Sequence, residues 1–439
     1  MSHNENIGSG WDCMLFALIK CIKSKNSLIL DGCLELEAMQ KILIIPELRQ
    51  LTSNWISQLD ESNNVSLETS NDYRTNGNQL FNDVNCNEME CVNCYTKAIF
   101  AAPKGNEVLG MAHANRAAAL MKLEYYKEAH SDCKCARLTN YPKSKLFKVL
   151  YRQACCSIQL EDLKQLEKDL KEIDNLLDEL KIRHLHSDSL KKLSIQHEEL
   201  KEKLKSTDKS SNSSCESVCA AEKKLTDKQT VLNGRFSIAL EPISPDELIV
   251  KEKAFAFIPV YQSFDPDPID VHCQNCAATN IIPFPCVDCK RASYCGPSCF
   301  NEHKEIHQFE CSGYKKHLWY EIGIAHLAVR TMLCGIDELM ERLSHVRDTT
   351  SLAAWNEMLS IVDETDFPYG RVLKLVTNFE TSDKDDFLGY ILTATMATMY
   401  LRNNTHFFKE MTKKYPKFMT DSKWEQFIGA IIARHIGQL

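Results

Sequence analysis

The feature that most constrains this chain is a run of eight candidate metal ligands. Cys273, Cys276, Cys286, Cys289, Cys295, Cys299, His307 and Cys311 follow one another as C-x2-C-x9-C-x2-C-x5-C-x3-C-x7-H-x3-C. A tetrahedral zinc ion takes four Cys or His donors and a C-x2-C turn supplies two of them, so eight donors make two sites. The alternating order of a cross-braced module assigns Cys273, Cys276, Cys295 and Cys299 to one ion. It assigns Cys286, Cys289, His307 and Cys311 to the other. His303 competes with His307, and the x3 step to Cys311 favours His307. Four protein donors per ion leave no open coordination position, so both zincs are expected to be structural rather than catalytic. Seven of the 20 cysteines are used in this way. The other thirteen form no second ligand pattern, and Cys133, Cys135, Cys155 and Cys156 read as buried helix residues.

Length and composition frame this module. At ~150 residues per domain, 439 residues suggest about three domains. Gly 15 and Pro 13 are low for that length and favour helices over turn-dense β folds. A formal charge of −8 argues against strong general nucleic-acid binding, which needs a basic surface. The polar start carries no secretory signal, and no stretch reaches the ~20 uncharged apolar residues of a membrane helix. A cytoplasmic or nuclear protein is expected, where clustered cysteines bind metal rather than form disulfides.

Along the chain, residues 11–60 show mixed apolar patterning specific to no function. Residues 61–74 turn to Ser, Asn and acidic residues and read as a linker. A helical block follows to about residue 204. Leu163, Leu166, Leu170, Ile173, Leu177 and Leu180 step by three and four, which predicts a helix docked in a hairpin or solenoid. The serine-rich run 206–217 reads as a flexible boundary. Strands are predicted over 235–240 and 248–257, and helices again beyond Tyr314.

The cysteine segment, with Tyr294-Cys295 ahead of its C-x3-C helix, resembles a MYND zinc finger. Such fingers bind Pro-containing peptides of transcriptional regulators. Gly234-Arg235 opening a strand, with Pro242, Glu247 and Lys251-Glu252-Lys253, resembles the first segment of a SET methyltransferase domain. Followed by a MYND finger, it is identified as a member of the SET and MYND domain-containing family, and the long helical N-terminus resembles that of the family's fourth member. The resemblance implies protein-lysine N-methyl transfer from S-adenosyl-L-methionine to a histone or non-histone lysine. It also implies methyl-donor contacts at Gly234, Arg235 and Phe236, and at Tyr369, which opens a Tyr-x2-Val-x2-Leu pattern. A working SET domain closes its site with an Asn-His-x-Cys segment, and none follows residue 300. By this reading the chain carries an incomplete SET domain and no catalytic residue of its own.

Two motifs recur at about tetratricopeptide spacing. Gly77-Asn78, Phe81, Tyr95, Ala98 and Pro103 form the first. Asn115-Arg116-Ala117, Leu120, Tyr125, Ala129, Ala136 and Pro142 form the second, and a helix over 148–160 begins a third. Arg74-x3-Asn78, Asn115 and Lys148-x3-Arg152 resemble the carboxylate clamp of chaperone-binding repeats. Amides and cations would there converge on the acidic C-terminal tail of a chaperone.

The expected fold is mainly α with a small β-rich part. Residues 1–69 form an N-terminal helical and linker region, 70–205 tetratricopeptide-like helical repeats, and 206–225 a linker. Residues 226–271 form the first part of the SET domain, 272–311 the MYND-type finger with two structural Zn2+, and 312–439 a C-terminal helical region. The alternative to a methyltransferase is a non-catalytic adaptor whose repeats bind acidic chaperone tails and whose finger recruits regulatory proteins.

Overall fold

A computed structural model describes residues 10–24, 30, 32–59, 65–180, 187–207, 225–230, 234–249, 252–259, 272–280, 282–343, 352–361, 367–416 and 421–439. Helices dominate, as the low glycine and proline content predicts. Two compact units divide the chain, one of residues 1–200 with 256–439 and one of residues 201–255.

In the first unit, α1 (Trp11–Ser24), α2 (Glu35–Leu43) and α3 (Pro46–Gln58) precede the repeats. The repeats are three helix pairs: α4 (Leu67–Phe81) with α5 (Glu88–Ala101), α6 (Glu107–Lys122) with α7 (Tyr126–Leu138), and α8 (Leu146–Gln159) with α9 (Leu163–Leu180). Asn87 and Asn106 cap α5 and α6 through their side-chain oxygens. Glu124, Asn140 and Glu161 take left-handed backbone conformations just past α6, α7 and α8 and turn the chain back. The leucine stripe of α9 is spent as the spacing predicts. Leu166, Ile173 and Leu177 are fully buried, and Asp169 on the same helix takes hydrogen bonds from Gln153 and Ser157 of α8. Cys133, Cys135 and Cys156 are buried and Cys155 half-buried.

Two expectations need correction. Residues 67–74, read as linker, are the first half of α4. Ser66 accepts the Thr69 N–H and Ser70 donates to the Ala98 carbonyl, so polar side chains here cap and cross-link a helix. Residues 248, 249 and 252–257 carry no strand, since a strand needs a neighbour for its backbone groups and none pairs with them among the described residues. The partner of β2 (Gly234–Ala239) is instead the polar β1 (Leu225–Thr230), antiparallel to it in the second unit, with Leu225 opposite Ala239 and Thr230 opposite Gly234. In sequence, α10 (Ser187–Thr207) lies between the repeats and β1.

After the finger strands β3 (Phe284–Pro285) and β4 (Ser293–Tyr294) comes the long α11 (Pro297–Lys315). The C-terminal helices are α12 (Leu318–Ile322), α13 (Ala325–Arg342), α14 (Leu352–Ile361), α15 (Pro368–Leu373), α16 (Lys384–Asn404), α17 (Phe407–Lys414) and α18 (Asp421–Gln438). The N-terminal helices, on which composition is silent, pack onto them. Trp11 donates to Thr393 of α16 at 3.0 Å, and Arg49 and Arg402 share the buried Glu425 of α18. Met39 of α2 sits over Gly429, where a Cβ would come within 2.3 Å of its methyl.

The finger docks on the repeats through Arg116 of α6, which is 1% exposed. Its Nε and one terminal nitrogen take both oxygens of Asp132 at 2.7 and 2.8 Å, while the other terminal nitrogen reaches the Thr96 hydroxyl and the Pro283 carbonyl, each at 3.0 Å. Burial acts to raise the Asp132 carboxyl, but the Arg116 guanidinium outweighs it and keeps the group ionised. Lys290 donates to the Ile99 carbonyl, and Ile282 enters the apolar core of the repeats. Arg116→Met leaves Asp132 buried with only His113 beside it. Unfolding in denaturant should show a loss of about 3–5 kcal/mol, and Asp132→Leu in the same chain should recover most of it.

Candidate metal centre

Each zinc knuckle is built locally. Ala277 and Lys290, the residues directly after Cys276 and Cys289, both adopt left-handed backbone conformations that swing the chain out of its C-x2-C turn. Backbone N–H groups of Asn275 and Asp288 point at the sulfurs of Cys273 and Cys286, each at 3.4 Å, and support negative charge there. The remaining ligands come from the β3–β4 hairpin and from two faces of α11.

The donors gather into the two expected groups. Cys273, Cys276, Cys295 and Cys299 have their sulfurs within 4.8 Å of one another, and so do the donor atoms of Cys286, Cys289, His307 and Cys311. Ligands on a tetrahedral zinc at ~2.3 Å stand about 3.8 Å apart. The sulfurs of Cys276 and Cys295 are 3.5 Å apart, those of Cys286 and Cys311 4.0 Å, and Cys289 is 3.7 Å from His307 Nε2. The residues therefore fit two zinc ions with protein ligands only, and what the ions supply is folding energy. His303, the competing histidine, is held elsewhere by the Tyr294 hydroxyl, and burial pushes it down to about 3.

The two sites differ in exposure. Cys276 and Cys295 are exposed, whereas Cys286, Cys289 and His307 are buried. Behind the buried site stands Glu310 of α11, next to Cys311. It is fully buried and takes Arg330 through both oxygens at 2.8 and 2.7 Å and His326 at 2.9 Å. Burial acts to raise its carboxyl, and Arg330 more than offsets this. The same guanidinium donates to Gln274, one residue after Cys273, so α13 grips both ends of the finger.

The predicted clamp residues fall on the first helix of each pair. Asn78 of α4 and Asn115 of α6 meet directly: Asn78 Oδ1 accepts from Asn115 at 2.8 Å and from the Tyr95 hydroxyl at 2.9 Å. That bonding leaves the Asn78 amide N–H groups as the donors available to a ligand. Gly77 makes room for Tyr95, since a Cβ there would lie 2.6 Å from the ring. Arg152 of α8 reaches the Ala114 carbonyl, beside Asn115, at 2.9 Å. Arg74 and Lys148 stand one turn from Asn78 and Arg152 on the same helices. Arg74 bonds Asn71 and keeps a buried Nε without a partner, and Lys148 is exposed.

The expected methyl-donor contacts fare differently. Gly234, Arg235 and Phe236 open β2, and the surroundings of their side chains lie outside the described residues. Tyr369 is fully buried, packs on Gly335 and bonds His435 Nε2 at 2.9 Å. Arg116 went unnoticed as a key residue, although it sits beside Asn115; only its contact with Pro283, far away in sequence, reveals its role.

Chelator titration of the zinc-loaded chain should release two ions in two phases. The Cys273, Cys276, Cys295 and Cys299 ion leaves first, and Glu310→Gln speeds only the second phase, by roughly 10- to 100-fold. A single phase, or one ion, contradicts the assignment.

Residues 273–311 match the MYND finger family model. Across 315 residues, 64% of this chain, the sequence is 25% identical to "Protein-lysine N-methyltransferase SMYD4" of Pongo abelii, covering 38% of that protein. The protein of the same name from Gallus gallus is 26% identical over 312 residues, 64% of this chain and 41% of that protein, and the one from Homo sapiens 24% over 311 residues, 64% and 38%. The chain spans about two fifths of the length of these curated relatives. With its MYND finger and this shared stretch, the chain is a relative of the SET and MYND domain-containing proteins.

Proposed function

We propose that the chain serves protein-lysine N-methylation with S-adenosyl-L-methionine as donor, in the cytosol or nucleus. The observation that carries this reading is that the relatives matched over about two thirds of the chain share one name, protein-lysine N-methyltransferase. The antiparallel strand pair whose second strand opens on Gly234-Arg235-Phe236 agrees with a first SET strand pair. In this reading the zincs perform no chemistry. They stiffen a finger wedged between the repeats and the C-terminal helices, and the repeats hold the protein that presents the lysine. Calorimetry with S-adenosyl-L-methionine on the zinc-loaded chain should give saturable binding, weakened about tenfold by Gly234→Trp with zinc content unchanged. No binding would mean that the donor site is not built by these residues.

A second reading is favoured by the Asn78–Asn115 bond and by Arg152 beside it: an adaptor for acidic C-terminal tails. Amide N–H groups and cations on the first helices of three successive pairs match the carboxylates of such a tail, and the finger would recruit a regulatory protein through a Pro-containing peptide. An acidic tail peptide should bind the full chain with an affinity that falls as salt rises. Lys148→Ala and Arg152→Ala should each cost about 1 kcal/mol or more. Equal binding by both variants would remove the clamp and leave the methylation reading untouched.

A further inference from the structure

A cavity of about 950 Å3 opens between the end of α1, the turn into α2 and the start of α16. Ile22, Leu30, Phe379, Phe387 and Leu388 make one side of it apolar. Cavities of this size and mixed lining suit a small molecule with an apolar body and a few polar groups. Two residues of the wall carry the chemistry. Glu35 is 2% exposed; one of its oxygens pairs with Arg434 at 2.7 Å, and the other has no hydrogen-bond partner. A buried carboxylate oxygen left this way favours a ligand that brings a donor. Cys33 is half-buried, and its sulfur lies 3.1 Å from Lys41 Nζ.

The bond to the Cys33 sulfur, ahead of the contribution of Glu37, holds the Lys41 ammonium above its usual range, so a cation stays beside the thiol. Cys33 also precedes α2 by two residues, where the helix presents the positive end of its dipole. A partly exposed cysteine beside an ammonium and a helix N-terminus is the setting of a reactive thiol, and here the same ammonium also pairs with Glu37 at 3.4 Å. Cys33 therefore has a nucleophile's surroundings, an apolar hollow in front of it, and an unmet acceptor in the same wall.

We propose that Cys33 is a site of covalent capture of hydroxylated α,β-unsaturated aldehydes, the electrophiles of oxidised lipid chains. The sulfur bonds to the β-carbon, and the carbon–carbon π pair moves to the α-carbon. The thiol proton passes to water as the carbon–sulfur bond forms, and the α-carbon takes a proton from the Lys41 ammonium, which is reprotonated from water. Nothing is oxidised or reduced and no group leaves. The alkyl tail lies on Phe379, Phe387 and Leu388, and the hydroxyl donates to the free oxygen of Glu35.

Limited treatment of the zinc-loaded chain with 4-hydroxynon-2-enal, followed by peptide mapping, tests this. Cys33 should be modified about tenfold faster than Cys13, Cys21 and Cys94, three half-buried thiols on N-terminal and repeat helices. Lys41→Met should slow it about tenfold. Glu35→Gln should abolish the preference for 4-hydroxynon-2-enal over non-2-enal while leaving the reaction with non-2-enal intact. Should Glu35→Gln lower the melting temperature, Leu388→Trp, which fills the hollow, should block the aldehydes but not iodoacetamide. Modification spread evenly over the four cysteines, or Cys33 rates unchanged in Lys41→Met and Leu388→Trp, would overturn the proposal.

Discussion

Two buried guanidinium–carboxylate pairs hold the zinc finger from opposite sides, and the arrangement of the first unit depends on them. Arg116 with Asp132 fastens it to the repeats, and Arg330 with Glu310 fastens it to the C-terminal helices. Charges this far from water are tolerable only with nearly every donor and acceptor used, and Arg116 and Arg330 each spend a remaining N–H on a finger group, Pro283 or Gln274. The finger is thus part of the polar interior, not a bead on a linker.

This explains how a small, metal-held module can act as a structural keystone. A finger of about 40 residues lacks the apolar core to fold alone and borrows stability from its ions. Once folded, it offers rigid carbonyls and amides at fixed positions, which is what the buried arginines need. The repeats and the C-terminal helices then share one stiff spacer between them.

Much of the site was legible in the sequence because its chemistry is local. C-x2-C turns place two donors by backbone geometry alone, so ligand grouping followed from spacing, and the structure needed only to decide between His303 and His307. The leucine stripe of α9 was legible for the same reason: three- and four-residue steps set a helix face wherever the helix ends up. Readings that required a distant neighbour did less well. The strand expected over 248–257 found no partner among the described residues, the polar β1 found one, and the linker over 67–74 became helix because Ser66 and Ser70 had α5 and a free N–H to bond.

Spacing alone thus determined the grouping of the zinc ligands and the helical faces, since each depends on residues within a few turns of one another. Tertiary structure alone decided that Arg116 anchors the finger, that Tyr369 is buried, and that α1, α2 and α3 pack on the C-terminal helices. Those outcomes depend on which surfaces meet across hundreds of residues, and burial, not local pattern, sets the energy of a charge or a hydroxyl once it is there.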